Sequence, residues 1–224
     1  MPHLTPLALL SKDVSRLQKA KKDMLNSPLQ MAERAERVAK LAHDIEKKEA
    51  EKILVLQELV LFPPHHGQYA QQVEQFCKET PSDKSVFIMT KYPDGKDAGK
   101  DQQLVRVIKS VKDAVAECKF APRVAGEKKY HGNVWENVEI YMLACARGIA
   151  IVEGKFKPEL NPNVAMEWGW MGSTRKPVLY LVEKDVDITP ADVGGLIKDK
   201  FQWDNPEPGV RNAVFQELTG APPP

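Results

Sequence analysis

The sequence predicts an α/β protein in which a parallel sheet carries helices on both faces, preceded by an all-helical N-terminal region. Two observations predict this. Residues 1–80 contain no glycine before Gly67 and are rich in Ala, Leu, Lys, Glu and Gln, a composition typical of helices. From residue 84 onward, short runs that are apolar throughout alternate with segments of helical periodicity. That alternation is the pattern of parallel strands buried on both faces.

The N-terminal region, residues 1–80, is predicted to form three helices: Leu10–Leu25, Leu29–Phe62 and Gln68–Lys78. In the second of them, apolar residues recur at steps of three and four, as in an amphipathic helix. Such a stripe can pack inside a helical hairpin or pair with another chain as a coiled coil, and the sequence favours neither. We therefore expect a homo-oligomer, or a partner protein bound through these helices.

The α/β domain is predicted to span residues 84–220, after a boundary at Thr80–Lys84. Its strands are predicted at Val86–Met89, Pro122–Ala125, Gly148–Val152, Val178–Val182 and, as an edge strand, Phe201–Trp203. Its helices are predicted at Gln103–Cys118, Val134–Ala146, Asn161–Gly172 and Val210–Leu218. Parallel sheets bind ligands at the carboxyl ends of their strands. The loops after Met89, Val152 and Val182 should therefore surround any site.

Composition excludes several functional classes. The 32 basic and 31 acidic residues give a net charge of +1, which argues against nucleic acid as an obligate partner. The three cysteines lack metal-ligand spacing, and their odd number is typical of a reducing compartment. No signal peptide and no run of about 20 apolar residues is visible, so we expect a cytoplasmic protein without membrane contact. Walker, GxGxxG, GxSxG and HExxH motifs are absent from the sequence.

The most informative segment is Asn161–Trp170, which reads NPNVAMEWGW and lies between two predicted strands. Asn161 can cap a helix and Pro162 suits its first turn. A helix N-terminus beside the sheet crevice can bind phosphate or ribose oxygens. Glu167 lies less than two turns into this helix, so its carboxylate can reach the same crevice.

This strand–NPNVxxEΦG–helix–KPV–strand pattern resembles the nucleoside 2-deoxyribosyltransferase-like and TIR-like nucleotide-binding superfamily. Further segments resemble the same family: Val86–Tyr92, Trp135–Cys145, Gly148–Glu153 and Asp192–Gly195. The resemblance covers about residues 84–218 and implies a flavodoxin-like or Rossmann-like sheet. Asn161-Pro162-Asn163 stands where the transferases often carry an Asp-Gly-Thr turn, which favours the TIR-like branch.

The resemblance also implies a chemistry. In this family a glutamate on this helix attacks, or electrostatically supports, the anomeric carbon of a ribose or deoxyribose while the base leaves. By motif position that residue is Glu167. TIR-like members cleave nicotinamide from NAD, often in bacterial antiviral defence, and transferase members pass the sugar to another base. NAD would be the substrate rather than a cofactor, and we expect no cofactor.

The remaining candidate site residues follow from their positions in the sequence. Tyr92 could stack on a base, and Glu153 could bind a ribose hydroxyl. His131 could protonate the leaving base. Asn161, Asn163 and Trp135 could contact the ligand. No metal ligand is expected.

Three functions remain open. The first is an N-glycoside-cleaving enzyme of the NAD glycohydrolase type, with the N-terminal helices controlling its assembly. The second is a deoxyribosyltransferase of nucleotide salvage. The third is a module that senses a nucleotide without catalysis, because one fold can carry either role.

Overall fold

The computed structural model describes residues 5–26, 31–60, 64–156, 160–186 and 199–223. The chain divides into two compact units, Met1–Gln75 and Phe76–Pro224. The division falls inside a helix, a few residues before the expected boundary at Thr80. The aromatic side chain of Phe76 explains this position, because it packs against Tyr130 and Tyr141 of the second unit.

The first unit is helical, as the sequence predicts. Helices α1 (Thr5–Leu25) and α2 (Met31–Val60) pack against each other as a hairpin. A short 3-10 helix, Pro64–Tyr69, then leads into α3 (Ala70–Glu79). The Glu74 carboxylate of α3 is buried; the Ser11 hydroxyl donates to it at 2.5 Å, and Lys52 forms an ion pair with it. Because a buried carboxylate needs such partners, these contacts tie the three helices together.

The second unit is built on a five-stranded sheet in which every pair is parallel. The strands are β1 (Ser85–Met89), β2 (Ala121–Arg123), β3 (Arg147–Val152), β4 (Val178–Glu183) and β5 (Asp199–Phe201). Their order is β2-β1-β3-β4-β5, which is the flavodoxin-like order. This confirms the predicted fold class. The order reverses between β1 and β3, so the loops after these two strands border the crevice in which such folds bind ligands.

Among the residues that the structure describes, four helices cover the sheet: α4 (Ala98–Glu117), α5 (Val134–Ala144), α6 (Pro162–Ser173) and α7 (Pro206–Thr219). Helices α4 and α7 lie on one face, where their apolar side chains meet alternate residues of the strands, such as Ile88 and Leu181. Helices α5 and α6 lie on the opposite face. There Phe87 packs against Tyr141. Both faces of the sheet are therefore covered, as apolar strands require.

Several elements begin earlier than predicted, among them α1 at Thr5 rather than Leu10 and α7 at Pro206 rather than Val210. Helix α4 begins at Ala98 rather than Gln103, because the Asp97 side chain caps it by accepting from the Lys100 N–H at 3.1 Å. The loop between β1 and α4 is therefore shorter than the sequence predicts. Strand β5 lies two residues earlier than predicted, since Glu183 pairs with Phe201 in the parallel ladder. Trp203 follows the strand and packs against Phe156.

The two outer strands of the sheet are short and carry residues that oppose further pairing. Strand β2 has three residues, and Pro122 at its centre has no backbone N–H to donate. Strand β5 also has three residues, with the exposed Lys200 at its centre. Lysine and proline are typical of protected edge strands.

Candidate functional site

Helix α6 is anchored at its start and at the sheet surface. The Asn161 side chain accepts from the N–H groups of Asn163 at 3.0 Å and Val164 at 3.5 Å, and Pro162 follows as the first helical residue. Further along, Met171 approaches β3 closely: its Sδ atom would lie 3.0 Å from a Cβ atom at Gly148. The glycine therefore lets the helix settle on the strand. Val164, Glu167 and Met171 form its buried face.

Glu167 is the only charged residue on this buried face, and its side chain is 8% exposed. Within the described residues, its carboxylate has no hydrogen bond and no ion pair. Burial alone raises the pKa of Glu167 to about 7. A buried carboxyl without a compensating partner costs free energy of folding. Such an arrangement is common where a group acts on a ligand rather than on the protein.

Tyr92 lies close to Glu167, at the start of the loop after β1. Burial is the main cause that raises the pKa of Tyr92 to about 12, and the charge of Glu167 raises it further. The Tyr92 hydroxyl accepts from the Gly126 N–H at 3.1 Å. The ring lies over Gly126, where an added Cβ atom would be 3.0 Å from Cε1. Tyr92 thus connects the surroundings of Glu167 with the loop after β2.

Two cavities adjoin the Tyr92 side chain. We call the first the α5 cavity; it has a volume of about 220 Å³, and His131, Asn133 and Val134 are among its lining residues. We call the second the α4 cavity; it has a volume of about 590 Å³, and Val105 and Ile108 are among its lining residues. Tyr92 and Gly126 line both. Glu167 lines neither cavity.

His131 belongs to the loop before α5 and lines the α5 cavity. Its Nδ1 atom lies 2.6 Å from the Glu136 Oε2 atom and 3.2 Å from the Asn133 nitrogen. The Glu136 carboxylate therefore contacts the imidazole ring at Nδ1. A histidine oriented by a carboxylate is suited to general acid–base chemistry.

Glu153 is buried just after β3, and one of its carboxylate oxygens bonds to its own loop. Oε2 accepts from the backbone N–H groups of Lys155 at 2.8 Å and Phe156 at 3.2 Å. Burial raises the pKa of Glu153, and the charge of the neighbouring Glu183 adds to this effect. Glu153 thus holds its own loop through Oε2.

Glu183 holds the same loop from the end of β4. One of its carboxylate oxygens accepts from the Gly154 N–H at 3.1 Å, and the other lies 2.7 Å from the Lys155 ammonium. The Lys91 ammonium lies 3.9 Å from the centre of the Phe156 ring, which is within cation–π range. Since Lys91 follows β1, this contact spans the crevice between the loops after β1 and β3. The open cavities lie instead beside Tyr92.

The other predicted site residues cap a helix or lie on the surface. The Asn161 side chain is engaged as the α6 cap, and the Asn163 side chain is exposed. Trp135 is exposed in the first turn of α5 and does not line the α5 cavity. The predicted segment Asp192–Gly195 lies outside the described residues. The structure therefore brings Tyr92 together with Glu167, and His131 together with Tyr92 around one cavity.

Sequence reasoning missed two buried residues that shape the site. Asn137 accepts from the Tyr130 N–H at 2.7 Å and donates to the Ala125 carbonyl at 2.9 Å, which fixes the loop between β2 and α5 beside the α5 cavity. The Lys176 ammonium donates to the carbonyls of Met142, Leu143 and Cys145 at 2.6, 2.6 and 2.9 Å. It thereby caps the C-terminus of α5. Both are polar residues in otherwise apolar surroundings. Their hydrogen-bond partners can be identified only from the fold.

Neither a metal centre nor a membrane span is found in the parts of the chain that the structure describes. Across those ranges, no three His, Cys, Asp or Glu side chains are grouped to hold a metal ion. None of the described helices is long and apolar enough to cross a membrane. Comparisons with protein families, with curated proteins and with solved structures found no match to this chain.

Proposed function

We propose that the protein cleaves the N-glycosidic bond of a nucleotide, with NAD as its substrate and Glu167 as its catalytic carboxylate. The observation that carries this proposal is the environment of Glu167, which is buried, without a partner among the described residues, and raised in pKa to about 7. Glycosidic cleavage passes through an oxocarbenium-like cation, which a nearby carboxylate stabilises. A desolvated carboxylate interacts more strongly with such a cation than a solvated one does.

The charge of Glu167 favours NAD over a deoxynucleoside. The nicotinamide ring of NAD is already cationic, so it can leave as a neutral base when the C1′–N bond breaks and its electron pair moves to the ring nitrogen. Water then adds to C1′ and loses a proton. A neutral deoxynucleoside instead requires protonation of its base. Glu167 has no cationic partner among the described residues, so a cationic substrate would supply the missing compensation.

The test is chromatography of NAD and of a deoxynucleoside panel after incubation with concentrated protein, with Glu167→Gln as the comparison. We expect nicotinamide to be released from NAD by the wild-type protein alone. Exchange of bases between deoxynucleosides would establish the transferase function instead. Binding of NAD without base release from any substrate would establish the sensor function. Release that persists in Glu167→Gln would refute the assignment of the catalytic residue.

The pH dependence of base release gives a second prediction. We expect kcat/KM for NAD to rise as the pH increases towards about 7 and to level off above it. The reason is that only the ionised carboxylate stabilises a cation, and the pKa of Glu167 is about 7. Initial rates of nicotinamide release measured from about pH 5 to about pH 9 would show this rise. A rate that falls with pH over this range would indicate a protonated Glu167 acting as an acid.

We further infer that the N-terminal helices mediate assembly. Four of the large apolar side chains on α1 and α2 are more than half exposed: Leu9, Leu25, Met31 and Leu54. Exposed apolar patches commonly mark interaction surfaces. Deleting residues 1–62 removes α1 and α2, together with the Ser11 and Lys52 partners of Glu74, and is expected to reduce the molecular mass in light scattering to that of a single chain. An unchanged oligomer, or a full-length protein that is already a monomer, would contradict assembly through these helices.

A further inference from the structure

The two cavities beside Tyr92 differ in charge. At the α4 cavity, two lysines and two acidic residues of the lining form ion pairs with each other. The α5 cavity is lined by Lys129 and His131, and neither aspartate nor glutamate is among its described lining residues. The α5 cavity is therefore basic, whereas the α4 cavity is neutral.

The charge of the α5 cavity comes from Lys129, in the loop between β2 and α5. Each of the other acidic or basic side chains in this loop has a partner: Glu127 with Lys112, Lys128 with Glu79, and His131 with Glu136. Lys129 is exposed and forms no ion pair with any residue that the structure describes. Its ammonium is therefore available to an anion.

The backbone around Lys129 is held in place by one buried amide. The Asn137 side chain accepts from the N–H groups of Tyr130 at 2.7 Å and His131 at 3.3 Å. It also donates to the Lys128 carbonyl at 3.2 Å. Lys129 thus lies between two residues whose backbones are fixed, so little further ordering of this loop is needed when a ligand binds.

Helix α5 begins at the same cavity, but its first free N–H groups are occupied. The Asn133 side chain accepts from the N–H groups of Trp135 at 2.8 Å and Glu136 at 3.3 Å. Recognition of an anion in the α5 cavity therefore depends on Lys129 rather than on the end of the helix.

The remaining walls of the α5 cavity are apolar. Tyr92 lies against the backbone of Gly126 on one side, and Val134 and Val138 of α5 also line the cavity. Val134 is 80% exposed. A ligand with an apolar body would remove this side chain from water, which favours binding.

The volume of the α5 cavity limits the size of its ligand. Small-molecule sites usually measure about 300 to 1,000 Å³, and the α5 cavity has about 220 Å³. It can hold a single ring or a short branched chain. A nucleotide is too large for it.

We propose that the α5 cavity binds a small organic carboxylate. The carboxylate group lies at the Lys129 ammonium, and the apolar body lies between Tyr92 and the two valines of α5. A monoanion matches the single unpaired charge, whereas a phosphate carries more negative charge and has no body to cover Val134. This inference goes beyond the proposed function, because Glu167 does not line the cavity.

The experiment compares three probes by nuclear magnetic resonance titration of the isotope-labelled full-length protein in neutral solution. The probes are benzoate, benzamide, which has nearly the same shape without the charge, and inorganic phosphate. We expect benzoate to bind at least about fivefold more tightly than either of the others. The largest shifts are expected at the Gly126 and Gly132 N–H signals. Equal affinities, tighter binding of phosphate, or larger shifts away from the cavity would overturn the proposal.

Removal of the Lys129 charge tests the position of the carboxylate group. Lys129→Met is expected to weaken benzoate at least about fivefold and to leave benzamide unchanged. Lys109→Met is the matched control, since Lys109 is also exposed but lines the α4 cavity. An unchanged affinity in Lys129→Met, or the same decrease in both variants, would refute the assignment.

A new carboxylate at the apolar wall tests the position of the ligand body. Val134→Asp is expected to weaken benzoate more than benzamide, because the added charge repels the anion. Val105→Asp is the control, since Val105 is an exposed valine of the α4 cavity. Loss of benzoate binding in Val105→Asp, or no change in Val134→Asp, would place the anion elsewhere.

Competition with NADH distinguishes the carboxylate site from the site of the proposed substrate. NADH is used because its reduced ring carries no positive charge and is a poor leaving group. We expect the affinity for benzoate to be the same with and without NADH, because the α5 cavity is too small for a nucleotide. Displacement of benzoate by NADH would show that the cavity belongs to the substrate site, and would overturn a second site.

Discussion

Replacement of Glu167 with glutamine is expected to reduce the rate of nicotinamide release at least about 100-fold. Glutamine has nearly the same shape as glutamate, so α6 should keep its contacts with the sheet. It carries no charge, so it cannot stabilise the cation that forms at C1′. The measurement is kcat for base release at about pH 8, where the wild-type carboxylate, with a pKa of about 7, is mostly ionised.

The matched control for this experiment is Glu217→Gln. Glu217 lies on α7, on the opposite face of the sheet, and burial raises its pKa as well. We expect this variant to keep the wild-type rate. Equal losses of rate in both variants would mean that removing a partly buried carboxylate disturbs the protein in general, and would remove the evidence for a catalytic role of Glu167.

Replacement of Glu167 with glutamine should also stabilise the protein in neutral solution. The pKa of Glu167 rises from the usual 4.5 to about 7 on folding. Between these pH values the folded state holds a proton that the unfolded state has lost, so this residue reduces stability as the pH increases. The shift corresponds to about 3 kcal/mol above pH 7. Urea unfolding should therefore show Glu167→Gln to be the more stable protein at pH 8 and similar to wild type near pH 4.5.

Replacement of Lys176 with methionine is expected to destabilise the protein by about 3 kcal/mol or more. The methionine fills a similar volume but cannot donate, so the carbonyls of Met142, Leu143 and Cys145 lose the donor that they share. Burial lowers the pKa of Lys176 to about 8, so the ammonium is mostly charged at pH 7. Its positive charge at the C-terminus of α5 also interacts favourably with the negative end of the helix dipole.

Equilibrium urea unfolding at pH 7 measures this effect, with Lys200→Met as the control. Lys200 is exposed on β5, and its replacement should change the free energy of unfolding by less than about 0.5 kcal/mol. A change below about 1 kcal/mol for Lys176→Met would mean that water replaces the ammonium at the end of α5, and that the three hydrogen bonds contribute little.

The fold could be predicted because its signals are local. Each of the three central strands is an apolar run, and each helix of the second unit shows periodicity or a capping residue. The sequence did not predict the start of α4, because Gly99 and two lysines give its first turn the composition of a loop. That turn begins after the Asp97 cap. The position of β5 was missed because its pairing with β4, rather than its own apolar residues, sets its limits.

The candidate site was only partly predictable from the sequence. Glu167 and Tyr92 could be singled out, since one lies in a distinctive segment and the other follows a buried strand. Their proximity, and the absence of a cationic partner for Glu167 within the described residues, depend on how α6 settles over Gly148. Glu153 shows the opposite case. Its place after β3 predicts a ligand contact, and the structure adds that Oε2 accepts from two backbone N–H groups of its own loop.

The protected edges of the sheet have a consequence for how copies of this chain can associate. Pro122 has no backbone N–H, Lys200 is exposed and charged, and β2 and β5 have three residues each, so neither edge of the described sheet offers a run of backbone groups long enough to template a cross-β stack. Assembly of the folded protein must then use side-chain surfaces of the helices, which can separate again on dilution. Concentrated solutions should therefore form reversible oligomers rather than fibrils that bind amyloid dyes.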